Sequence, residues 1–218
     1  PKTWSISRKT TKFVTKANPG SHSQLYGMPL VIYLRDHLNL AESSSQTKTI
    51  LKYNDVLVNG KKQKDIKNNV GLFDILSIPQ EDGSMKTYRV VLAMNGKLSL
   101  QEGEFTTRLV KITGKKMLKG GKMQLNFHNG GNLLTSENYM MNSTLELSIS
   151  DSKVVNEYKL EKSSNVFLIS GKHTSELGVI KEFVQDRVIY QRADNKEVET
   201  KTSYAFVVPS NDLMVVSQ

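Results

Sequence analysis

From about residue 84 onward, short apolar segments alternate with turn signals at regular intervals along the chain. Asn95-Gly96, Gly120-Gly121 and Gly130-Gly131 mark three of these turns. Segments of this length, bounded by such pairs, are typical of antiparallel strands, and the pattern favours two small β-barrels or sandwiches. The predicted strands are 87–92, 97–100, 105–113, 123–127, 132–135, 144–149, 154–160, 165–169, 177–183, 187–191, 198–201 and 204–208.

Two short helices are predicted nearer the N-terminus. Apolar residues recur at helical spacing over residues 30–38, directly after a proline that suits a first helical turn. Ser43 and Gln46 have the spacing of a capping box, which predicts the start of a second helix. This second helix would bury the apolar pair at 50 and 51.

A small hairpin follows the helices. The sequence predicts a strand at 56–58, a tight turn at Asn59-Gly60 and another strand at 74–78. The first third of the chain therefore mixes helices and strands, whereas the rest is all β.

Positive charge is concentrated in the same first third. The 218 residues include 30 Lys+Arg against 21 Asp+Glu, a formal net charge of +9. Residues 1–72 contain twelve of these basic residues but only four of the acids. A local excess of this kind creates a positive field that favours a polyanion as the partner.

Several clusters of basic residues are candidate phosphate contacts, since phosphate contacts supply affinity without reading sequence. For any single basic side chain, the alternative to a phosphate contact is an ordinary solvated position on a charged surface. A second segment without acids, residues 105–136, also contains Arg108 and Lys111. The candidate RNA-binding residues are Arg8, Lys9, Lys12 and Lys16 near the N-terminus, Lys48, Lys52, Lys61, Lys62, Lys64 and Lys67 on the second helix and hairpin, and Lys115, Lys116, Lys119 and Lys122 in the acid-free segment.

The N-terminal segment, residues 1–24, holds five basic residues, no acid and few apolar ones. It cannot by itself bury enough surface to offset its ordering entropy. We therefore expect it to become ordered against a partner, with Trp4 and Phe13 available to stack on bases. A frayed, solubilising tail is the alternative.

Several classes of chemistry find no support in the sequence. The chain has no cysteine, which excludes disulfides, thiolate zinc sites and cysteine nucleophiles. Its four histidines, at 22, 37, 128 and 173, lack metal-ligand spacing and are interpreted as ordinary surface or turn residues. Residues 114–123 fail the pattern of a phosphate loop, and no paired acids or nucleophile stand out. We expect no catalytic residues, no metal and no cofactor.

No segment has the composition of a membrane span or of a signal peptide. We therefore expect a soluble, intracellular protein with no membrane partner and no small-molecule substrate.

Several motifs carry a resemblance to a known family. Leu40-Ala41, Lys48, Ile50-Leu51, Val56 and Val58-Asn59-Gly60-Lys61 form a helix and hairpin motif that resembles the S-four-type RNA-binding domain. Motifs along nearly the whole chain, from Pro1-Lys2-x-Trp4 to the run from Tyr204 to Val208, resemble the small-subunit ribosomal protein four family of eukaryotes and archaea, its archaeal members most. Gly171-Lys172-His173 with Gly178-Val179-Ile180 is similar to a KOW motif. The other matching motifs are Pro1-Lys2-x-Trp4, Pro19-Gly20-x-His22, Pro29-Leu30, the run from Val70 to Pro79, the run from Lys119 to His128, and the run from Tyr204 to Val208.

This resemblance implies an α+β, multi-domain chain. It implies a structural, non-catalytic constituent of the small ribosomal subunit in the cytoplasm, with ribosomal RNA and neighbouring ribosomal proteins as partners. Lys172, in the KOW-like loop, joins the candidate RNA contacts, whereas Glu176 is expected to repel phosphate there. The expected domains are a basic N-terminal arm at 1–24, an S-four-like RNA-binding domain at 25–82, a central β domain at 83–160, and a C-terminal SH3-like KOW barrel and tail at 161–218.

Two other functions remain open at this point. Both module types also occur outside ribosomes, so a free-standing RNA-binding or transcription-coupled factor is one alternative. The other is an RNA-modifying enzyme that uses the helical module for targeting.

Overall fold

The computed structural model describes residues 1–7, 9, 13–80 and 82–209. Within these residues the protein is mostly β, with its α-helices and a π-helical turn confined to residues 30–53. The chain forms two compact units. Unit 1 contains Pro1–Val91, Lys97–Arg108 and Ile149–Asp151, and unit 2 contains Leu92–Gly96, Leu109–Ser148 and the chain from Ser152 onward.

The first predicted helix of unit 1 is only partly α-helical. Helix α1, Leu30–Ile32, continues as a π-helical turn over Tyr33–His37. In that turn the N–H of Leu38 donates to the carbonyl of Tyr33 at 3.0 Å, a bond that spans five residues rather than four. Residues 30–34 are all buried, so this short element supplies much of the core of unit 1.

Helix α2, Ser44–Tyr53, begins with the predicted capping box. The Ser43 hydroxyl accepts from the Gln46 N–H at 3.2 Å, and the Gln46 side chain accepts from the Ser43 N–H at 3.3 Å. These bonds satisfy N–H groups that a helix start otherwise leaves unpaired. The helix buries Leu51, as predicted, whereas Ile50, predicted to be buried with it, is only half-buried. Thr47 is the other buried residue, and most of the remaining side chains are exposed.

Unit 1 contains two sheets. β1 pairs antiparallel with β4, and the other strands form a sheet in the order β3-β2-β5-β6-β7. The β2–β3 turn is the predicted tight one, because Asn59 and Gly60 both have positive φ, 50° and 76°. Sequence patterns did not predict β1, β3 or β4, which are two or three residues long. The strands are β1 Gly27–Pro29, β2 Leu57–Val58, β3 Lys61–Lys62, β4 Asn69–Gly71, β5 Ile75–Pro79, β6 Met85–Leu92 and β7 Leu98–Glu102.

The first sheet of unit 2 has the order β10-β9-β8-β11-β12. Its buried face contains Ile112, Leu125, Phe127 and Leu145. The strands are β8 Thr107–Met117, which begins at the edge of unit 1, β9 Met123–Phe127, β10 Asn132–Thr135, β11 Thr144–Ser148 and β12 Val154–Tyr158.

The second sheet of unit 2 has the order β16-β15-β14-β13-β17, and all of its pairs are antiparallel. Its core includes Val166, Ile180, Val188 and Tyr190. The strands are β13 Asn165–Leu168, β14 Leu177–Val184, β15 Arg187–Gln191, β16 Glu197–Lys201 and β17 Ala205–Val207, with a 3₁₀ turn at Thr202–Tyr204 before the last.

The N-terminal segment is packed against unit 1 in part, which corrects the expectation that it orders only against a partner. Trp4 is 6% exposed, and its indole N–H lies 3.1 Å from the Gln24 carbonyl and 2.9 Å from the Gly27 carbonyl. The carbonyl of Thr3 accepts from the N–H of Leu98 at 2.7 Å. Trp4 is therefore a buried anchor and not a base-stacking residue.

His22 is also buried, whereas the sequence interpretation placed it at the surface or in a turn. Its Nε2 lies 2.8 Å from a carboxylate oxygen of Asp74, which is itself 3% exposed. A buried carboxylate needs hydrogen-bonding or charged partners. Because His22 and Asp74 are 52 residues apart in sequence, local sequence patterns could not predict this contact.

No helix among the described residues is long and apolar enough to cross a membrane.

Candidate nucleic-acid interface

Helix α2 carries two of the predicted cations on one side. Lys48 and Lys52 are one helical turn apart and both are exposed. The Lys52 ammonium lies 5.4 Å from the centre of the Tyr53 ring, and Tyr53 is 73% exposed. Sequence reasoning missed Tyr53. The available signal was an aromatic residue directly beside a lysine at the end of a basic helix.

The β2–β3 hairpin presents Lys61 and Lys62, both exposed, on its second strand. Lys62 pairs with the Asp55 carboxylate, so part of its charge is already compensated. Lys61 lies opposite Val58 in the hairpin.

A buried network holds the turn of this hairpin. The Asn59 side chain accepts from the N–H of Ile75 at 2.9 Å and donates to Asp74 at 2.8 Å. Asp74 also accepts from the N–H of Gly71 at 2.9 Å and contacts His22. Burial alone would raise the pKa of Asp74, but the His22 charge and these hydrogen bonds outweigh it and lower the pKa. The turn before Lys61 is therefore fixed to the core of unit 1.

Lys16 and Lys67 belong to segments that are hydrogen-bonded to each other. The N–H of Asn18 donates to the carbonyl of Lys67 at 2.9 Å, and the Asn18 side chain donates to Asp65 at 2.7 Å. Lys16, Lys64 and Lys67 are exposed. Fold contacts thus bring cations from the N-terminal segment beside those that follow the hairpin.

The β8–β9 hairpin carries the second predicted cluster. Lys116 lies opposite Gln124, and Lys119 and Lys122 lie in the connecting turn, all three lysines exposed. Lys115 is half-buried and donates to the Asn138 side chain at 3.2 Å.

Most of the predicted cations have no internal counter-charge. Lys62 is the exception, through Asp55. Arg8 and Lys12 lie outside the described residues, and Lys9 is exposed. The candidates that form no ion pair with any described residue are Lys9, Lys16, Lys48, Lys52, Lys61, Lys64, Lys67, Lys115, Lys116, Lys119, Lys122 and Lys172.

Lys111 belongs to the interior and not to the basic surface that its neighbourhood in sequence suggested. It is 2% exposed, and its ammonium donates to the carbonyls of Thr202, Ser203 and Ala205 at 3.0, 3.2 and 2.6 Å. Burial lowers its pKa to about 8. Within unit 2 it ties strand β8 to the 3₁₀ turn before β17.

Glu176 is not the free, repulsive carboxylate expected from sequence. Arg192 donates to both of its carboxylate oxygens, one of them at 2.6 Å, and the Tyr190 hydroxyl donates at 3.1 Å. Burial raises the pKa of Glu176, but hydrogen bonds from Arg192, His173 and Tyr190 outweigh it and lower the pKa. Its charge is thus compensated inside unit 2.

Comparison with known proteins places this chain in a family. It is 39% identical over 217 residues to the small ribosomal subunit protein eS4 of Methanocella arvoryzae, covering 95% of this chain and 90% of that one. It is 34% identical over 218 residues to eS4 of Archaeoglobus fulgidus, covering 97% and 91%. The chain belongs to the eS4 family.

Two further comparisons agree with this assignment. The sequence model of the ribosomal family S4e matches residues 84–154, which contain the β8–β9 hairpin. The fold matches the crystal structure of the 30S ribosomal protein S4e from Thermoplasma acidophilum with a TM-score of 0.70. That match has 24% sequence identity and covers 88% of this chain and 99% of the other. The eS4 resemblance inferred from ordered motifs is therefore confirmed.

Proposed function

We propose that this eS4 chain is a structural, non-catalytic constituent of the small ribosomal subunit in the cytoplasm. It binds ribosomal RNA there and contacts neighbouring ribosomal proteins. One observation carries the RNA-binding part: both units have clusters of exposed lysines that form no ion pair with any described residue. Such side chains remain available to neutralise phosphates.

We assign the main phosphate contacts to unit 1. Lys48 and Lys52 on helix α2, Lys61 on the hairpin, and the Lys16–Lys67 region provide point charges on a rigid support. Phosphate contacts of this kind recognise the shape of a folded RNA more than its sequence. Lys62 and Lys64 belong to the same set, and Tyr53 offers an exposed ring beside it.

The β8–β9 hairpin of unit 2 provides the second contact. Lys115 and Lys116 lie along β8, and Lys119 and Lys122 lie in the β8–β9 turn, which contains two glycines with positive φ. Such a tip fits along an RNA backbone or into a groove. Lys172 adds a contact from the loop between β13 and β14.

The N-terminal segment contributes to RNA binding through residues other than the buried Trp4. Trp4 holds one part of it to unit 1, whereas Phe13 is 82% exposed. We assign Arg8, Lys9 and Lys12 to contacts along the RNA backbone in this segment.

We divide the chain into four domains by proposed role, a division that differs from the two compact units. Residues 1–24 act as the arm, and 25–82, with its two helices and basic hairpin, act as an S-four-like RNA-binding domain. Residues 83–160 form the central β domain. Residues 161–218 act as the KOW/SH3-like domain, which the five-stranded antiparallel order β16-β15-β14-β13-β17 supports.

Salt dependence of RNA binding tests this mechanism directly. Neutralising about six to eight phosphates should give a plot of log affinity against log salt with a slope between about −4 and −7. The measurement is filter binding of the full chain to small-subunit ribosomal RNA over a salt series. A slope near zero would contradict phosphate-dominated binding.

Co-sedimentation separates the ribosomal role from the alternatives. The protein should remain with small subunits on gradients of native cell extract at low and moderately high salt. Loss at moderate salt would favour a free-standing RNA-binding or transcription-coupled factor. Turnover on ribosomal RNA by the purified protein would favour a modifying enzyme. Membership in the eS4 family favours the ribosomal role over both.

A further inference from the structure

A pocket of about 520 Å³ opens in unit 2 beside the loop between β13 and β14. Its apolar lining comes from Leu92, Met94 and Leu177, and Lys172 and Arg192 lie at the same opening. We propose that this pocket holds one unpaired nucleotide of the bound RNA. This inference rests on the proposed RNA-binding function and names a specific subsite within it.

The pocket offers a stacking platform. Arg192 is fixed because its guanidinium donates to both carboxylate oxygens of Glu176, and its side chain is 26% exposed. Unstacked bases in RNA complexes stack on guanidinium planes and on apolar side chains. Leu177 and Met94, the latter 80% exposed, supply apolar surface at the same site.

The pocket also contains a polar group without a partner. The Ser175 hydroxyl is buried and forms no hydrogen bond in the part of the chain that the structure describes. Ser175 also has φ of 72°, a left-handed conformation that strains any residue with a side chain. Backbone strain and an unsatisfied buried polar atom commonly coincide at ligand sites. The oxygen itself is shielded from solvent, so a rotation of the side chain about its Cα–Cβ bond must first bring the hydroxyl to the pocket, where it can donate to or accept from the polar edge of a base.

The charge at the opening suits a phosphodiester-linked ligand. Lys172 is exposed and has no ion pair among the described residues. The two carboxylates nearby are both compensated. Glu176 is bound by Arg192, and Asp194 lies 3.9 Å from Arg192 and 3.7 Å from Lys196. The remaining positive charge of Lys172 therefore faces the phosphate that would flank the bound base.

Nuclear magnetic resonance titration of the full chain tests the proposal. The probes are AMP, GMP, CMP and UMP at millimolar concentrations, with ribose 5-phosphate as the comparison that lacks a base. At least one nucleotide should shift the backbone amides of 172–177 and 192–194, and ribose 5-phosphate should shift them much less.

Ser175→Gly isolates the hydroxyl without endangering the fold. Glycine adopts this backbone conformation without strain, so the variant should be at least as stable as the wild type. The proposal predicts about fivefold weaker nucleotide binding, as expected for the loss of one neutral hydrogen bond. Ser163→Gly is the matched control, because Ser163 also has a left-handed φ, 68°, and lies outside the pocket lining. It should bind nucleotides like the wild type.

Three outcomes would overturn the proposal. They are no amide shifts with any nucleotide, equal shifts with ribose 5-phosphate, and unchanged nucleotide affinity in Ser175→Gly. If the wild type still binds ribosomal RNA with a steep salt slope in the same preparation, the proposed function stands and only the nucleotide pocket fails. Loss of salt-dependent binding to ribosomal RNA would instead refute the broader function.

Discussion

The β2–β3 hairpin of unit 1 and the β8–β9 hairpin of unit 2 both present lysines, but they are held in different ways. In unit 1, the side chain of Asn59 binds the turn to Ile75 and to Asp74, which in turn contacts His22. In unit 2, the turn contains Gly120 and Gly121, and no atom beyond their chain neighbours lies within 4 Å of a Cβ built on either. The first turn is held to the core of unit 1 by hydrogen bonds, whereas the glycines of the second turn have open space around them among the described residues.

This difference suggests two modes of RNA contact. A side chain at Gly60 would lie 2.8 Å from Ile149, so the first turn is closely packed as well as hydrogen-bonded. The backbone that carries its lysines is therefore positioned before RNA arrives, and binding needs to order only the lysine side chains. The second turn can adjust to the RNA it meets, at the cost of that ordering entropy.

The largest expected effect on stability comes from removing the Asp74 carboxylate, which holds the turn of the β2–β3 hairpin. Asp74→Asn keeps the size of the side chain but removes the charge that His22, Asn59 and Gly71 share. Leaving these buried partners without the carboxylate should lower the free energy of unfolding of unit 1 by about 3 kcal/mol. Urea denaturation followed by tryptophan fluorescence measures it.

Asp82→Asn, at an exposed position of the same unit, serves as the control for charge removal and should change the free energy of unfolding by less than about 0.5 kcal/mol. The contribution of ionised Asp74 to the free energy of unfolding also depends on pH. Because the folded-state pKa of Asp74 is lowered from 3.8, its stabilisation is present above that value and is lost as the pH falls through the lowered pKa. An unchanged unfolding curve for Asp74→Asn would mean that the first hairpin is not locked by this network.

The base of the second hairpin can be probed through Lys111 on β8. Its folded-state pKa of about 8 lies below the ordinary 10.5, so between these values the unfolded chain binds more protons. The contribution of this group to stability should therefore rise with pH over that window, by on the order of 2–3 kcal/mol. The measurement is the difference in the free energy of unfolding between wild type and Lys111→Met at pH 7 and pH 10. A difference that shrinks with rising pH would contradict the lowered pKa of Lys111.

Removing one lysine from each hairpin compares their contributions to RNA affinity, and the expected effects are smaller. Lys61→Ala and Lys119→Ala each remove one exposed cation that forms no ion pair with the described residues. Each should weaken RNA binding by about fivefold at low salt and reduce the salt slope by about 0.7 to 0.9. Lys181→Ala is the control, because Lys181 pairs with Glu197 at 2.9 Å. If only one of the two variants changes the slope, only that hairpin contacts phosphate.

The smallest effect is expected from Gly120→Ala, which restricts the backbone of the β8–β9 turn. Gly120 has φ of 81° with open space around it, so Gly120→Ala meets strain but no clash. It should lower the free energy of unfolding by about 1 kcal/mol or less. RNA affinity should change by less than threefold if the tip adapts elsewhere in the turn, as calorimetric titration would report. A larger loss would indicate that the tip must reach one specific conformation.

Local patterns in the sequence predicted much of the fold. Met123–Phe127, Asn132–Thr135 and Arg187–Gln191 coincide with the predicted strands, because apolar alternation and glycine turns mark them on both sides. The capping box at Ser43 was likewise readable, since all of its atoms lie within four residues.

Contacts between distant residues account for what the sequence did not reveal. The β1–β4 pair joins strands of three residues each, too short to produce a periodic signal. His22 looked like an ordinary surface histidine because its partner Asp74 is 52 residues away. Lys111 looked like its basic neighbours because the carbonyls that bind it are more than 90 residues further on. The lysine clusters were visible as composition, whereas their roles as RNA contacts remain predictions.

The buried indole of Trp4 gives this protein a built-in optical probe. It is the single tryptophan of the chain, and both of its hydrogen-bonded neighbours lie in unit 1. Its emission should shift to longer wavelength when the N-terminal segment detaches. Because that segment belongs to unit 1, fluorescence would follow the unfolding of unit 1, while circular dichroism follows the strands of both units. A gap between the two signals during denaturation would show the units melting separately.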